Sequence, residues 1–347
     1  MSEPTTMLAE LDQQRRKVDV DNYTIVIREL LSMAERNELH RAPEYQRKFR
    51  WDEESESRLI ESLLLGLPVP NLFFATNADG SWEVVDGLQR ISTLIHFASE
   101  SAEQLREIRK EKNLTLSGLK KLPAFNGLTF SALPTPVQLA FTKRGMGVTA
   151  LSDKSDPQTR FDTFERLNRG SVELSSQEVR ACIYQGPLNE LLRELAEYPA
   201  FRGLVKLQRK NEDNATREEL VLKFFAYLHA RASFNGAVAD FLNNYMEVHR
   251  ADFDVDAGRE QFHQVVDQLS ERIGTPLLRV NTSVTPQNEL EAVLVAGAEV
   301  IGAHGDLGQP ETGWLDDPAL VEASTGATNT RKKLAERIER ARVLLTP

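Results

Sequence analysis

Two rhythms of apolar and polar positions run along the chain. Up to about residue 174 short β-type runs alternate with helix-spaced stretches. Ile27, Leu30, Leu31 and Ala34 mark one helix face, ending near Asn37. Leu59, Ile60, Leu63 and Leu64 mark a second, which Asp52 caps, Glu53 and Glu54 favour in the first turn, and Gly66 stops. Pro68 and Pro70 then force an extended connection into a strand over Asn71 to Thr76, and Asp79-Gly80 predicts a hairpin returning into a strand at Trp82. At Asp86-Gly87 the period changes. Val84 and Val85 are strand formers, whereas Ile91, Leu94, Ile95 and Ala98 lie on one helix face, and Asp86 with Gln89 has the spacing of a capping box. The charged stretch 99–121 predicts an exposed helix with a turn at Ser117-Gly118. A short helix between prolines follows over Phe130 to Phe141, then a strand over Met146 to Leu151. A last helix, through Phe161 and Phe164, stops at Asn168 and Gly170.

From Ser175 onward strand signals fade. Ser175 with Glu178 forms a capping box, and helical spacing recurs over Leu188 to Glu197, Glu218 to Ala230, Val238 to His249, Glu260 to Ile273 and Asn288 to Ile301. Leu220, Phe224, Tyr227 and Leu228 keep that spacing and read as core rather than as a cofactor site. Gly302 to Thr312 predicts a surface loop, and Thr330 to Leu345 a helix with a cationic outer face. The pattern therefore predicts an α+β fold: a peripheral segment 1–22, a domain 23–174 with a small mixed sheet, and an all-α domain 175–347.

A formal net charge of -10 argues against a general basic coat for nucleic acid, so any phosphate contact must be local. One such patch exists. The stretch Arg41-Ala-Pro-Glu-Tyr-Gln-Arg-Lys-Phe-Arg-Trp51 interleaves cations with aromatic rings, and Arg41, Lys48, Arg50 and Trp51 are its DNA-contact candidates. The single cysteine, Cys182, excludes an internal disulfide framework and reads as a buried thiol between Val179 and Ile183. No run approaches a membrane span and the start carries no secretory pattern, so the expected location is the cytoplasm.

No phosphate-binding Gly-x-x-x-x-Gly-Lys loop, zinc-protease His-Glu-x-x-His pair or Gly-x-Ser-x-Gly elbow occurs. His40-Arg-Ala-Pro43 matches a His-x-x-Pro string of HNH-type nucleases, but no histidine or asparagine partners for a metal lie nearby. What remains is the strand-to-helix turn. First-turn N–H groups and the positive end of the helix dipole would face whatever sits above Gly87, with Arg90 adding a fork of donors. Capping alone would also explain Asp86 and Gln89.

Four strings in order shift that balance: Pro43-Glu-Tyr-Gln-Arg47 followed by Trp51, Leu59-Ile-Glu-Ser-Leu-Leu-Leu-Gly-Leu-Pro-Val-Pro70, Val85-Asp-Gly-Leu-Gln-Arg-Ile-Ser-Thr93, and Phe164-Glu-Arg-Leu-Asn-Arg-Gly-Ser-Val-Glu-Leu-Ser-Ser-Gln-Glu-Val-Arg180. Together they resemble the GmrSD-type restriction enzyme N-terminal domain family, whose fold is related to ParB and sulfiredoxin. The resemblance implies that the Asp-Gly-x-Gln-Arg turn binds and hydrolyses a nucleoside triphosphate (GTP, UTP, CTP or ATP) with Mg2+, in support of DNA restriction. It implies Asp86 beside the metal or attacking water, Gly87 admitting the phosphates, Arg90 steadying their charge and Gln89 orienting the turn. Tyr45, Gln46, Arg47 and Thr93 would lie close by, and Arg166 and Asn168 would close the pocket. Leu88 stands where the family has a glutamine, and Arg169 and Ser171 replace a small residue and a glycine. Relatives that cut DNA often carry an HNH-type nuclease domain after the helices. None is recognisable here, so a separate nuclease subunit is the expected partner, and nicking by this chain alone is the least favoured activity. A nucleotide- or DNA-binding sensor without hydrolysis is the alternative.

Overall fold

A computed structural model describes residues 19–40, 51–77, 79–152, 155, 157–167, 175–212 and 214–347. The candidates Arg41, Tyr45, Gln46, Arg47, Lys48, Arg50 and Asn168 lie outside the described residues. The chain divides into two compact units, Met1–Glu173 and Leu174–Pro347.

The first unit is α+β. Its five-stranded mixed sheet has the order β1 (Val20–Val26), β5 (Gly145–Leu151), β3 (Leu72–Thr76), β4 (Trp82–Asp86), β2 (Leu39–His40). β1 runs antiparallel to β5, β5 parallel to β3, β3 antiparallel to β4, and β4 parallel to β2. The hairpin forms where Asp79-Gly80 predicts it: Asp79 Oδ1 accepts from the Ser81 N–H at 2.9 Å, and Gly80 takes φ 83°. β1 starts at Val20, three residues before the expected domain boundary, because Val20 to Tyr23 pair with Val148 to Leu151. The two glycines of β5 make room rather than a phosphate loop. A Cβ on Gly147 would lie 2.2 Å from Asn71 Oδ1, and one on Gly145 would lie 2.7 Å from Thr24 Cγ2.

Three helices supply most of the core against this sheet. Helix α1 (Ile27–Glu35) buries Ile27, Leu30 and Ala34. In α2 (Glu53–Leu64) Asp52 caps by accepting from the Ser55 N–H at 2.8 Å, and Gly66 ends the turn at φ 76°. Helix α3 (Leu88–Ala98) differs from its sequence expectation. It is buried on every face from Gln89 to Ala98, not along one stripe, so its polar side chains must find partners inside. His96 does so through Nδ1, 2.6 Å from Oε2 of the fully buried Glu56 of α2, whose Oε1 lies 3.3 Å from Lys110 Nζ.

The exposed helix expected over 99–121 is not formed. Only α4 (Ala102–Glu107) is helical there, and the chain beyond it is irregular, with Ile108, Leu114, Leu116 and Leu119 buried in the core. Side chains of α2 hold this stretch by its backbone. Ser57 Oγ accepts from the Ser117 N–H, and Glu61 Oε1 accepts from the N–H groups of Lys121 and Leu122. Helix α5 (Thr135–Thr142) precedes β5, and α6 (Pro157–Leu167) follows it.

The second unit is helical among its described residues. Its elements are α7 (Ser176–Ile183), α8 (Pro187–Ala196), α9 (Pro199–Leu204), α10 (Thr216–Ala230), α11 (Val238–His249), α12 (Val255–Ile273), α13 (Gln287–His304), α14 (Pro318–Ser324) and α15 (Arg331–Leu345). The Ser175–Glu178 capping box is present, and Cys182 is a buried thiol donating to the Glu178 carbonyl at 3.1 Å. Helix α12 opens five residues before the expected Glu260, because Asp254 caps it at the Ala257 N–H. A buried ion network ties four helices together. Arg180 Nη2 lies 2.5 Å from Glu219, Lys223 Nζ 3.1 Å from Glu219 and 3.0 Å from Glu291, and Arg337 Nη2 3.2 Å from Glu291. Glu219 and Glu291 hold the Lys223 ammonium charged well above its ordinary range, against the burial that opposes its charge. Among the described residues no helix is long and apolar enough to cross a membrane.

Candidate functional site

β4 ends at Asp86, opposite Phe73 of β3, with a register shift between Phe73 and Phe74. The next residue, Gly87, takes φ 107°, where a side chain is strained, and a Cβ on it would lie 2.4 Å from Leu72 Cδ2 and 3.4 Å from Arg90 Cζ. Both restrictions demand glycine. The geometry lets the chain turn from strand to helix within one residue, and Gly87 itself is the N-cap of α3.

The predicted Asp86–Gln89 capping box does not form. Asp86 sits one residue early for it, and no side chain caps α3. Its Oδ2 instead accepts from Arg90 Nη2 at 2.7 Å, because a guanidinium one turn along offers a charge-assisted bond that a neutral backbone N–H cannot match. Gln89 turns the other way: its Oε1 accepts from the Trp51 N–H at 3.3 Å. Trp51 is half-buried against the core, so this candidate DNA contact also serves as a packing residue. His40 pairs with Glu83 of β4, and Trp51 is bonded to the first turn of α3.

Arg90 is the strut of the turn. Besides Asp86, its Nη1 donates to the carbonyls of Pro70 at 2.5 Å and Asn71 at 2.8 Å, and its side chain is only 10% exposed. The guanidinium therefore locks the carboxylate of β4 to the entry of β3. Asp86 keeps 34% of its side chain accessible, and its Oδ1 takes no hydrogen bond from the described residues. Thr93 is fully buried and donates to the Gln89 carbonyl at 2.8 Å, which places it beneath the turn as a support.

Arg166, near the end of α6, is exposed, and among the described residues no hydrogen bond or ion pair ties it to the turn. The helix is held elsewhere. Buried Arg160 approaches the Thr76 carbonyl at 3.4 Å, at the end of β3 away from Asp86. Sequence reasoning missed Pro70, Asn71 and Leu72, which fix Arg90 and enforce Gly87. Their signal lay in the Pro-Val-Pro70 run, whose extended backbone leaves carbonyls unpaired by any helix or ladder. No group of three or more His, Cys, Asp or Glu among the described residues is arranged to hold a metal. A phosphate-bound Mg2+ asks for less, because one carboxylate with phosphate and water oxygens completes its shell, and the partly accessible Asp86 carboxylate fits that role.

These elements define a mixed α+β domain built around a strand-to-helix turn. Residues 27–185 match the family described as the GmrSD restriction endonuclease, N-terminal domain, and this segment is a domain of that family. The name of that family ties such a domain to a restriction system. No curated protein and no solved structure matches it.

Proposed function

We propose that the chain is the nucleoside-triphosphate-binding component of a DNA restriction system, with a ParB-like first domain, and that the Asp86-Gly87 turn hydrolyses the nucleotide to gate a separate nuclease. The observation carrying this reading is Gly87. Its left-handed φ and the missing space for a Cβ keep the start of α3 free of a side-chain cap beside an accessible carboxylate. A polyphosphate would meet the first-turn N–H groups and the positive end of the helix dipole. Asp86 Oδ1 would hold Mg2+, which when bound neutralises phosphate charge and draws the phosphate oxygens into place. Arg90 positions Asp86, and Gln89 anchors Trp51 at the rim of the turn.

One observation favours the non-hydrolysing sensor. The Arg90 guanidinium is already shared among Pro70, Asn71 and Asp86, so it offers little to a developing transition-state charge. The test is calorimetric titration of the purified chain with GTP, UTP, CTP and ATP in the presence of Mg2+, alongside phosphate release. Binding with turnover that Asp86→Asn abolishes supports the enzyme. Binding without turnover selects the sensor, and no binding of any triphosphate overturns both.

A further inference from the structure

The first unit carries a second concave surface, formed by the end of α2, the loop at Leu122 and Phe125, and α5. Its cavity of about 390 Å³ is walled by Leu63, Leu65, Leu122, Val137, Ala140 and Arg144. Its wall residue Leu65 is 41% exposed, and Leu67, two residues further along the chain, is 49% exposed. Scattered exposed leucines are ordinary. An exposed leucine in the wall of an apolar cavity is the kind of feature that marks a protein contact.

The charges around this patch oppose the character of the chain as a whole. In a molecule of formal net charge -10, the groove has Arg144 in its wall, and exposed Lys121 and Lys143 are chain neighbours of its wall residues Leu122 and Arg144. Glu61 of α2 adds one carboxylate beside them. Its Oε1 is bound by the backbone N–H groups of Lys121 and Leu122, which turn it toward the backbone. Arg144 is itself held in place, with Nη2 donating to the Gly66 carbonyl at 2.7 Å. The backbone is firm on both sides of the groove, with Gly66 in a left-handed turn and α5 closing on Lys143 and Arg144.

We propose that this groove is a protein-docking surface whose occupant is an amphipathic segment of a partner protein, with two or three large apolar side chains entering between α2 and α5 and carboxylates on its flanks meeting Lys121, Lys143 and Arg144. An apolar floor rewards buried side chains, whereas a nucleic-acid backbone would leave Leu65 and Val137 without a counterpart. A preformed pocket for an apolar anchor with the Arg144 cation in its wall gives both the buried contact and the steering that selects an acidic partner. The surface is independent of the nucleotide reading, since none of its side chains belongs to the Asp86 turn.

The test is selection of a displayed library of random peptides about 16 residues long, enough for about four helical turns, on the full chain, with the Leu65→Glu variant as the subtraction target. Leu65 is exposed, so Leu65→Glu folds normally by circular dichroism. Enriched peptides are expected to carry apolar residues at helical spacing with Asp or Glu between them. By fluorescence anisotropy a selected peptide should lose at least about tenfold in affinity to Leu65→Glu, equivalent to about 1.4 kcal/mol. It should lose a comparable factor to the charge reversal Lys121→Glu with Lys143→Glu. Enrichment of basic peptides, or of none that depend on Leu65, overturns the proposal. So does tighter binding of a labelled DNA duplex to the same residues, or Leu65-dependent self-association of the chain in light scattering.

Discussion

Removing the Arg90 guanidinium tests the architecture of the turn most directly. Arg90→Ala deletes three hydrogen bonds at once, to Pro70 O, Asn71 O and Asp86 Oδ2. Bonds from a charged donor contribute about 1.5–3 kcal/mol each. They share one group, and water can reach Asp86, so they do not sum, and the expected loss is about 3–4 kcal/mol. Arg90→Lys keeps the charge but not the fork that spans two carbonyls and a carboxylate, and should remain about 2 kcal/mol below the native chain. Urea unfolding followed by tryptophan fluorescence in a Trp314→Phe background reads this unit alone, since Trp51 and Trp82 then report its transition. Were Arg90 a nucleotide ligand idle in the free protein, both variants would unfold within about 0.5 kcal/mol of the parent. That result would refute the strut.

Three other changes follow from the geometry. Gly87→Ala forces a side chain into a left-handed φ and against Leu72, for about 1–2 kcal/mol of backbone strain plus about 1–3 kcal/mol of overpacking; a denaturation midpoint equal to the parent's would contradict it. Glu291→Gln leaves Lys223 and Arg337 buried with one carboxylate charge fewer between them, and the helical unit should lose about 3–5 kcal/mol by scanning calorimetry. Asp317 caps α14 at the Leu320 N–H and is gripped by Arg340 through Nε at 2.8 Å and Nη2 at 2.6 Å. These bonds pull its carboxyl down to about 2. A folded value below the unfolded one of about 3.9 means stability present above about pH 4 and lost as the pH falls toward about 2. Asp317→Asn should therefore flatten the dependence of the urea midpoint on pH across that window, and parallel profiles for the two proteins would exclude the pair as its source.

Local signals carried the sequence reading where local physics decides. Asp52, Asp79-Gly80 and Ser175–Glu178 cap or turn the chain where their types predict, because each is satisfied by backbone within a few residues. The Asp86 cap failed for the same kind of reason. A stronger partner, Arg90, stood one turn away, and its own acceptors at Pro70 and Asn71 come from distant sequence. Distance also hid the environment of α3. Its stripe of Ile91, Leu94 and Ile95 suggests one buried face, but Glu56 and Trp51 supply partners for the polar residues on the others. The charged run 99–121 misled by composition, since Leu114, Leu116 and Leu119 are spaced by two or three residues and buried without a helix. Of the candidate turn, the residue types were legible and their packing only in part. Asp86 and Gly87 stand at the turn, whereas Arg90 and Thr93 support it from within.

The sheet order has a consequence for how the chain comes into being. β5 lies between β1 and β3, although it is the last strand in the sequence. Until a ribosome has released residue 151, the hairpin of β3 and β4 has an open flank and Val20 to Val26 have no neighbour to pair with. More than a hundred residues must wait for one strand to arrive, and loop closure over that span is an entropic barrier met late in synthesis. The Asp86 turn is encoded early, but the wall behind Leu72 that holds it is finished only by the insertion of β5.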